Sequence, residues 1–107
     1  MATRRRLKPH KGGAAGAAEL FRALGDPHRL RLLEIIAKAS PDICVCDLND
    51  GVPLLQPTVS HHLRVLKEAG LVTCERRANW MYYRIADTAD SLLEGATASV
   101  LPRKVKT

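Results

Sequence analysis

The run QPTVSHHLRVLKEAG at residues 56–70 does most to limit what this chain can fold into. Val59, Leu63 and Leu66 fall at i, i+4 and i+7, which gives a helix one apolar stripe to bury. Gln56, Pro57 and Thr58 open that helix, and Gly70 suits the left-handed turn that stops it. Thr58, Ser60, His61 and Arg64 face elsewhere, each with a hydrogen-bonding tip. Directly afterwards the apolar period changes to two. LVTCERRANWMYYRI reads as strands over Val72 to Cys74 and Trp80 to Ile85, with Arg77, Ala78 and Asn79 as the turn and Asn79 as its residue tolerant of positive φ. A polar-faced helix followed by a basic hairpin is the frame around which the rest must pack.

The preceding segments supply further helices. Ala17, Leu20, Phe21 and Leu24 have helical spacing from Ala14 onward, and Gly25 ends it. Asp26 can cap the next helix, and Pro27 stands at its first position, where no donor is needed. Leu30, Leu33, Ile35 and Ile36 give this helix an apolar face as far as Ser40 and Pro41. Asp42 is expected to start a short third helix carrying Cys44, Val45, Cys46 and Leu48, ended by Gly51 and Pro53. Leu92, Leu93, Ala96 and Val100 restore helical spacing between Asp87 and Val100. The expected organisation is a flexible basic arm at 1–13, a mainly α winged helix-turn-helix domain with a β-hairpin at 14–101, and a basic tail at 102–107.

Seventeen Lys and Arg against 11 Asp and Glu give a net charge of +6, which fits a polyanionic partner. An α-helix fits the major groove of B-DNA, its outward side chains reach base edges, and flanking cations hold phosphates. On that reading Gln56, Thr58, Ser60, His61 and Arg64 form the reading face, with Arg76, Arg77 and Arg84 on the wing. Apolar runs are too short to span a bilayer, so the chain is expected in the cytosol, without a membrane partner. Three cysteines, an odd number, argue against a disulfide framework. No His base lies in the segment of Cys44 and Cys46, so enzymatic use of these thiols is not expected. They are core residues, a redox pair or ligands for a soft ion.

LFRALGDPHRLRLLEII, CVCDL, QPTVSHHLRVLKEAGLV and RRANWMYYRI, spread in order over residues 18–85, resemble the ArsR/SmtB family of bacterial metal-responsive transcriptional repressors. The resemblance implies a homodimer built largely by the first and last helices, bound to double-stranded operator DNA and released by an inducer. Two-fold symmetry would set the recognition helices about 34 Å apart and so implies an inverted-repeat site. Two positions depart from the family pattern. Leu55 stands where Ser is usual, and Ala78 and Asn79 stand where the hairpin often has Gly.

The resemblance also narrows the inducer. Zinc sensors of the family commonly use His on the last helix, and residues 87–107 contain none. CVCDL is similar to the thiolate site of relatives responding to arsenite, antimonite, cadmium or lead, which implies Cys44 and Cys46 as ligands for arsenite or antimonite, with Cd or Pb as the alternative. Soft sulfur donors suit such ions. The third Cys of the arsenite pattern falls on Asn49, so Cys74, His10, solvent or an exogenous thiol would complete the site. On a regular helix residues i and i+2 point about 200° apart, so chelation by Cys44 and Cys46 is expected to require a distorted first turn. A disulfide across that spacing is strained, which ranks the redox reading lower. Adjacent His61 and His62 diverge by about 100° and do not share an ion. His61 is expected to touch base or phosphate, His62 to be packed or solvated, and His28 to be a helix-start residue.

Overall fold

The computed structural model describes residues 13–101, so residues 1–12 of the arm expected at 1–13, with His10, and the tail at 102–107 lie outside the described residues. Gly13 opens the first helix and is not part of the arm. The chain forms α1 (Gly13–Leu24), α2 (Pro27–Lys38), β1 (Ile43–Cys44), α3 (Val45–Asp50), α4 (Gln56–Glu68), β2 (Val72–Arg77), β3 (Trp80–Ile85) and α5 (Ala89–Val100). The strands make one antiparallel sheet in the order β1-β3-β2. Among the described residues no helix is long and apolar enough to cross a membrane.

Local chemistry sets most of these boundaries. Asp26, in extended backbone, accepts from the N–H groups of His28 at 2.8 Å and Arg29 at 3.1 Å, which starts α2. Gly70, at φ 85°, stops α4; its N–H donates to Lys67 O and that of Leu71 to Leu66 O, the paired bonds of a Schellman turn. A side chain at Gly70 would also meet Leu92 Cδ1 at 3.0 Å. The turn is how the chain leaves the helix and enters β2 without losing its buried side.

Leu32 and Ile36 of α2, Leu48 of α3, Val59, Leu63 and Leu66 of α4, and Leu71 and Val72 are fully buried and meet in one core. Each contributes on the order of 1.5–3 kcal/mol by leaving water. The stripe expected of α4 is therefore the wall that fixes its rotation and keeps its polar face outward.

Two local expectations are corrected. The third helix begins at Val45, not Asp42, because Ile43 and Cys44 are extended and pair with Tyr83 and Tyr82. Arg77 belongs to β2, opposite Trp80, which leaves Ala78 and Asn79 as a two-residue turn. The positive φ falls on Ala78, at 56°, and not on Asn79. The ladder from Val72↔Ile85 to Arg77↔Trp80 decides which residue must bend, whatever its preference.

Candidate nucleic-acid interface and thiol site

On α4 the core stripe leaves Gln56, Thr58, Ser60, His61 and Arg64 all exposed, as the sequence predicts. The helix starts at Leu55, whose side chain makes no cap bond and is 78% exposed. His62 is turned inward, only 7% exposed, and its Nδ1 lies 3.0 Å from Arg29 Nη1. Burial chiefly lowers the affinity of His62 for a proton; the Asp26 carboxylate opposes this, and Arg29, His61 and His28 add to it. His62 is thus a packed residue behind the reading face, and His61 is its exposed neighbour.

On the wing, Arg76 and Arg84 are exposed. Arg77 is engaged: its Nη2 donates to Asp42 Oδ2 and to Glu75 Oε1, and its guanidinium lies 4.4 Å from the Tyr82 ring centroid. The hydrogen bonds to Asp42 and then Glu75 raise its affinity for the proton further. Being solvent-facing, these ion pairs matter more for placement than for stability. They tie the wing to the residue two before Cys44.

Because Cys44 is extended (φ −70°, ψ 144°) and Cys46 lies in the first turn of α3, the two side chains converge. Their Sγ atoms are 2.8 Å apart, with Cys44 8% exposed and Cys46 open to solvent. The expected need for a distorted helix is therefore removed: the strand-to-helix junction already brings both sulfurs together. The Cys46 thiol is pushed above its ordinary value of 9.0, chiefly by its hydrogen bond with Cys44, then by burial and by the charges of Cys44 and Asp47.

Cys74 is not placed beside them. Ile43, Tyr83 and Cys74 are in register across the sheet, as are Cys44, Tyr82 and Glu75. Cross-strand partners share a face and neighbours along a strand alternate, so Cys74 and Cys44 point to opposite sides. Cys74 is a half-buried strand residue against Tyr83, whose hydroxyl is raised by burial and then by Cys74. Among the described residues no group of three or more His, Cys, Asp or Glu gathers as a metal site. Asn49, where the third sulfur of the resemblance falls, has a buried Oδ1 with no hydrogen-bond partner. It lies at i+3 from Cys46, on the same side of α3.

A core-backed helix with a polar outer face, followed by a basic two-stranded wing, is the arrangement of a winged helix-turn-helix domain, and the family match that follows makes the chain a DNA-binding regulator. Residues 26–73 match the profile of the bacterial regulatory protein, arsR family. An uncharacterized HTH-type transcriptional regulator of Methanocaldococcus jannaschii is 45% identical over 66% of this chain and 79% of its own length. The arsenic resistance transcriptional regulator ArsR1 of Pseudomonas putida is 36% identical over 71% of this chain, which spans 62% of that protein. A homodimeric winged helix-turn-helix domain of Mycobacterium bovis, described as a possible ArsR-family regulator, superposes with a TM-score of 0.65 at 29% identity, covering 81% of this chain and 78% of that one. The chain belongs to the ArsR/SmtB family of DNA-binding transcriptional regulators.

Arg29, Asp42 and Asn49 did not emerge from the sequence as site residues. His62 could have signalled Arg29, since it stands at i+3 from Val59 and borders the buried stripe.

Proposed function

We propose that the chain is a cytoplasmic homodimeric repressor that binds inverted-repeat operator DNA and is released when arsenite or antimonite is held by Cys44 and Cys46. The observation that carries this reading is the convergence of two sulfurs, 2.8 Å apart, at the junction between a wing-paired strand and the segment leading to α4. Gln56, Thr58, Ser60, His61 and Arg64 read the major groove, and Arg76 supports them from the wing. Arg77 serves by holding the wing against Asp42 and Glu75 and meets phosphate only when that pairing opens. Apolar groups on α1 and α5, such as Phe21, Leu92 and Val100, are exposed and fit a subunit interface. The homodimeric relative supports the same assembly.

The donor set fits a thiophilic inducer. Two thiolates supply soft ligands, and Asn49, one turn after Cys46 with an unpartnered Oδ1, stands at the sequence position where a third sulfur is missing. With arsenite, two sulfurs and a retained hydroxide complete three bonds. Cadmium and lead form the alternative reading, which the same sulfur-plus-oxygen set accommodates. A bound inducer acts on Cys44 and therefore on β1, whose partner is the wing strand β3. It can weaken DNA binding only by preferring the arrangement that binds DNA less well.

Selection of duplexes from a random-sequence library tests the DNA half of the reading. The expected product is an inverted repeat with half-site centres about one helical turn apart and a strong salt dependence of affinity. A single unpaired half-site, bound by one subunit, would refute it. Titrating the selected duplex complex with arsenite, antimonite, cadmium, lead and zinc then ranks the inducers.

A further inference from the structure

Arg29 lies outside the reading face, the wing and the thiol pair, yet it touches three elements at once. Its Nε donates to Ala23 O at 2.6 Å and its Nη2 to Arg22 O at 3.2 Å, both carbonyls in the last turn of α1. Both lie among the last carbonyls of α1, Arg22 O also accepting from Gly25 N–H at 3.1 Å, and a cation there meets the negative end of the helix dipole. The remaining donor, Nη1, reaches His62 Nδ1 at 3.0 Å in the middle of α4. A guanidinium only donates, so Nδ1 must accept and the His62 proton sits on Nε2, the nitrogen 3.9 Å from Asp26 Oδ1.

α1 packs far more extensively on α5 than on α4. An open groove of about 910 Å³ runs between α1, α4 and α5, with Leu20, Ala23, Arg29, His61, Val65 and Leu92 among its walls. Across it, the Arg29 bonds are, among the described residues, the polar tie between the end of α1 and the recognition helix. We infer that Arg29 is a positioning residue for operator binding: acting through His62, it fixes the recognition helix relative to α1, and so sets the spacing and tilt of the two recognition helices in the dimer. The inference rests on the proposed α1/α5 dimer. Small rotations of α4 against α1 are repeated by symmetry in the second subunit, so they change the paired-site fit twice while leaving each half-site contact intact.

The tie depends on the state of His62. A protonated imidazole has no acceptor and would face the Arg29 guanidinium with like charge. The groups facing it are Asp26 and His28 at the start of α2, Arg29 on α2, and His61 on its own helix. Acidification below the ordinary imidazole value of 6.5 should therefore loosen the tie in the wild-type protein but not in His62→Gln, whose amide oxygen can still accept.

The test uses fluorescence anisotropy with the duplex selected by the wild-type protein, the same duplex with one base pair inserted or removed between half-sites, and an isolated half-site. Sedimentation of the full chain accompanies each titration. Arg29→Gln and His62→Leu should remain dimeric, keep half-site affinity within about twofold, and lose about tenfold or more of the preference for the selected spacing. His62→Gln should keep that preference and lose its acid sensitivity. The inference is overturned if folded Arg29→Gln or His62→Leu retains the wild-type spacing preference, or if either weakens half-site and paired-site binding equally. Should Arg29→Gln fail to fold, the two His62 variants decide. A wild-type protein that is monomeric on DNA overturns the dimer reading itself, and this inference with it.

Discussion

Cadmium and arsenite should differ sharply in how their affinity for this protein depends on pH. In the free protein Cys46 keeps its proton more firmly than an ordinary thiol, because it shares a hydrogen bond with Cys44 and has the Asp47 charge beside it. A divalent cation held by both thiolates must expel both protons. Below the thiol titration range its affinity rises about tenfold per proton per pH unit, on the order of 10⁴-fold from about pH 6 to about pH 8. Arsenious acid behaves otherwise: As(OH)₃ condenses with two S–H groups, two S–As bonds form, two As–O bonds break, and the protons leave within two waters. No net proton is released, so arsenite affinity should change by less than about threefold over the same interval. Calorimetry in buffers of different ionisation enthalpy counts the protons directly. Release of one proton per cadmium, or equal slopes for the two inducers, would refute ligation by the pair and leave a single sulfur engaged.

Other perturbations probe neighbouring parts of the structure. Asn49→Cys places a third sulfur where a buried carbonyl oxygen lacks a partner, so arsenite affinity should rise about tenfold or more in a fluorescence or calorimetric titration. Two substitutions should stabilise the fold, each by about 1 kcal/mol in denaturant unfolding: Ala78→Gly relieves a positive φ, and Leu55→Ser supplies the missing cap of α4. Asp42→Asn weakens the Arg77 anchor, and the sole tryptophan, half-exposed Trp80 at the wing tip, should show it as a change in emission and faster quenching. His62 adds a pH term to stability. Its folded-state proton affinity is lowered, so its contribution is complete above 6.5 and is lost as pH falls through the folded value; replacing it with Gln should flatten that part of the acid unfolding curve.

Much of this was legible from local pattern. The Val59, Leu63 and Leu66 stripe is buried completely, Asp26 caps α2 as its position predicts, and Gly70 carries the turn that ends α4. Each of these rests on residues within a few positions of one another. What escaped depends on pairing across the chain. Ile43 and Cys44 are too short a strand to show a period, and their partners are in the wing, so the sequence placed Cys44 on a helix. That error hid the convergence of the sulfurs and invented a need for unwinding. The turn misled in the same way: Asn79 is the better residue for positive φ, but register puts the burden on Ala78. The Arg77 pairing with Asp42 and the Arg29 contact with His62 join residues far apart in sequence, and charge pattern alone does not reveal them.

The most direct test of the central claim is the affinity for the selected operator, with and without arsenite, of the wild-type protein, Cys44→Ser and Cys46→Ser. Without arsenite all three should bind DNA within about twofold of one another, and arsenite should weaken the wild type alone, by about tenfold or more. A wild-type response in either serine variant would contradict the account, as would a wild-type protein whose DNA binding arsenite leaves unchanged.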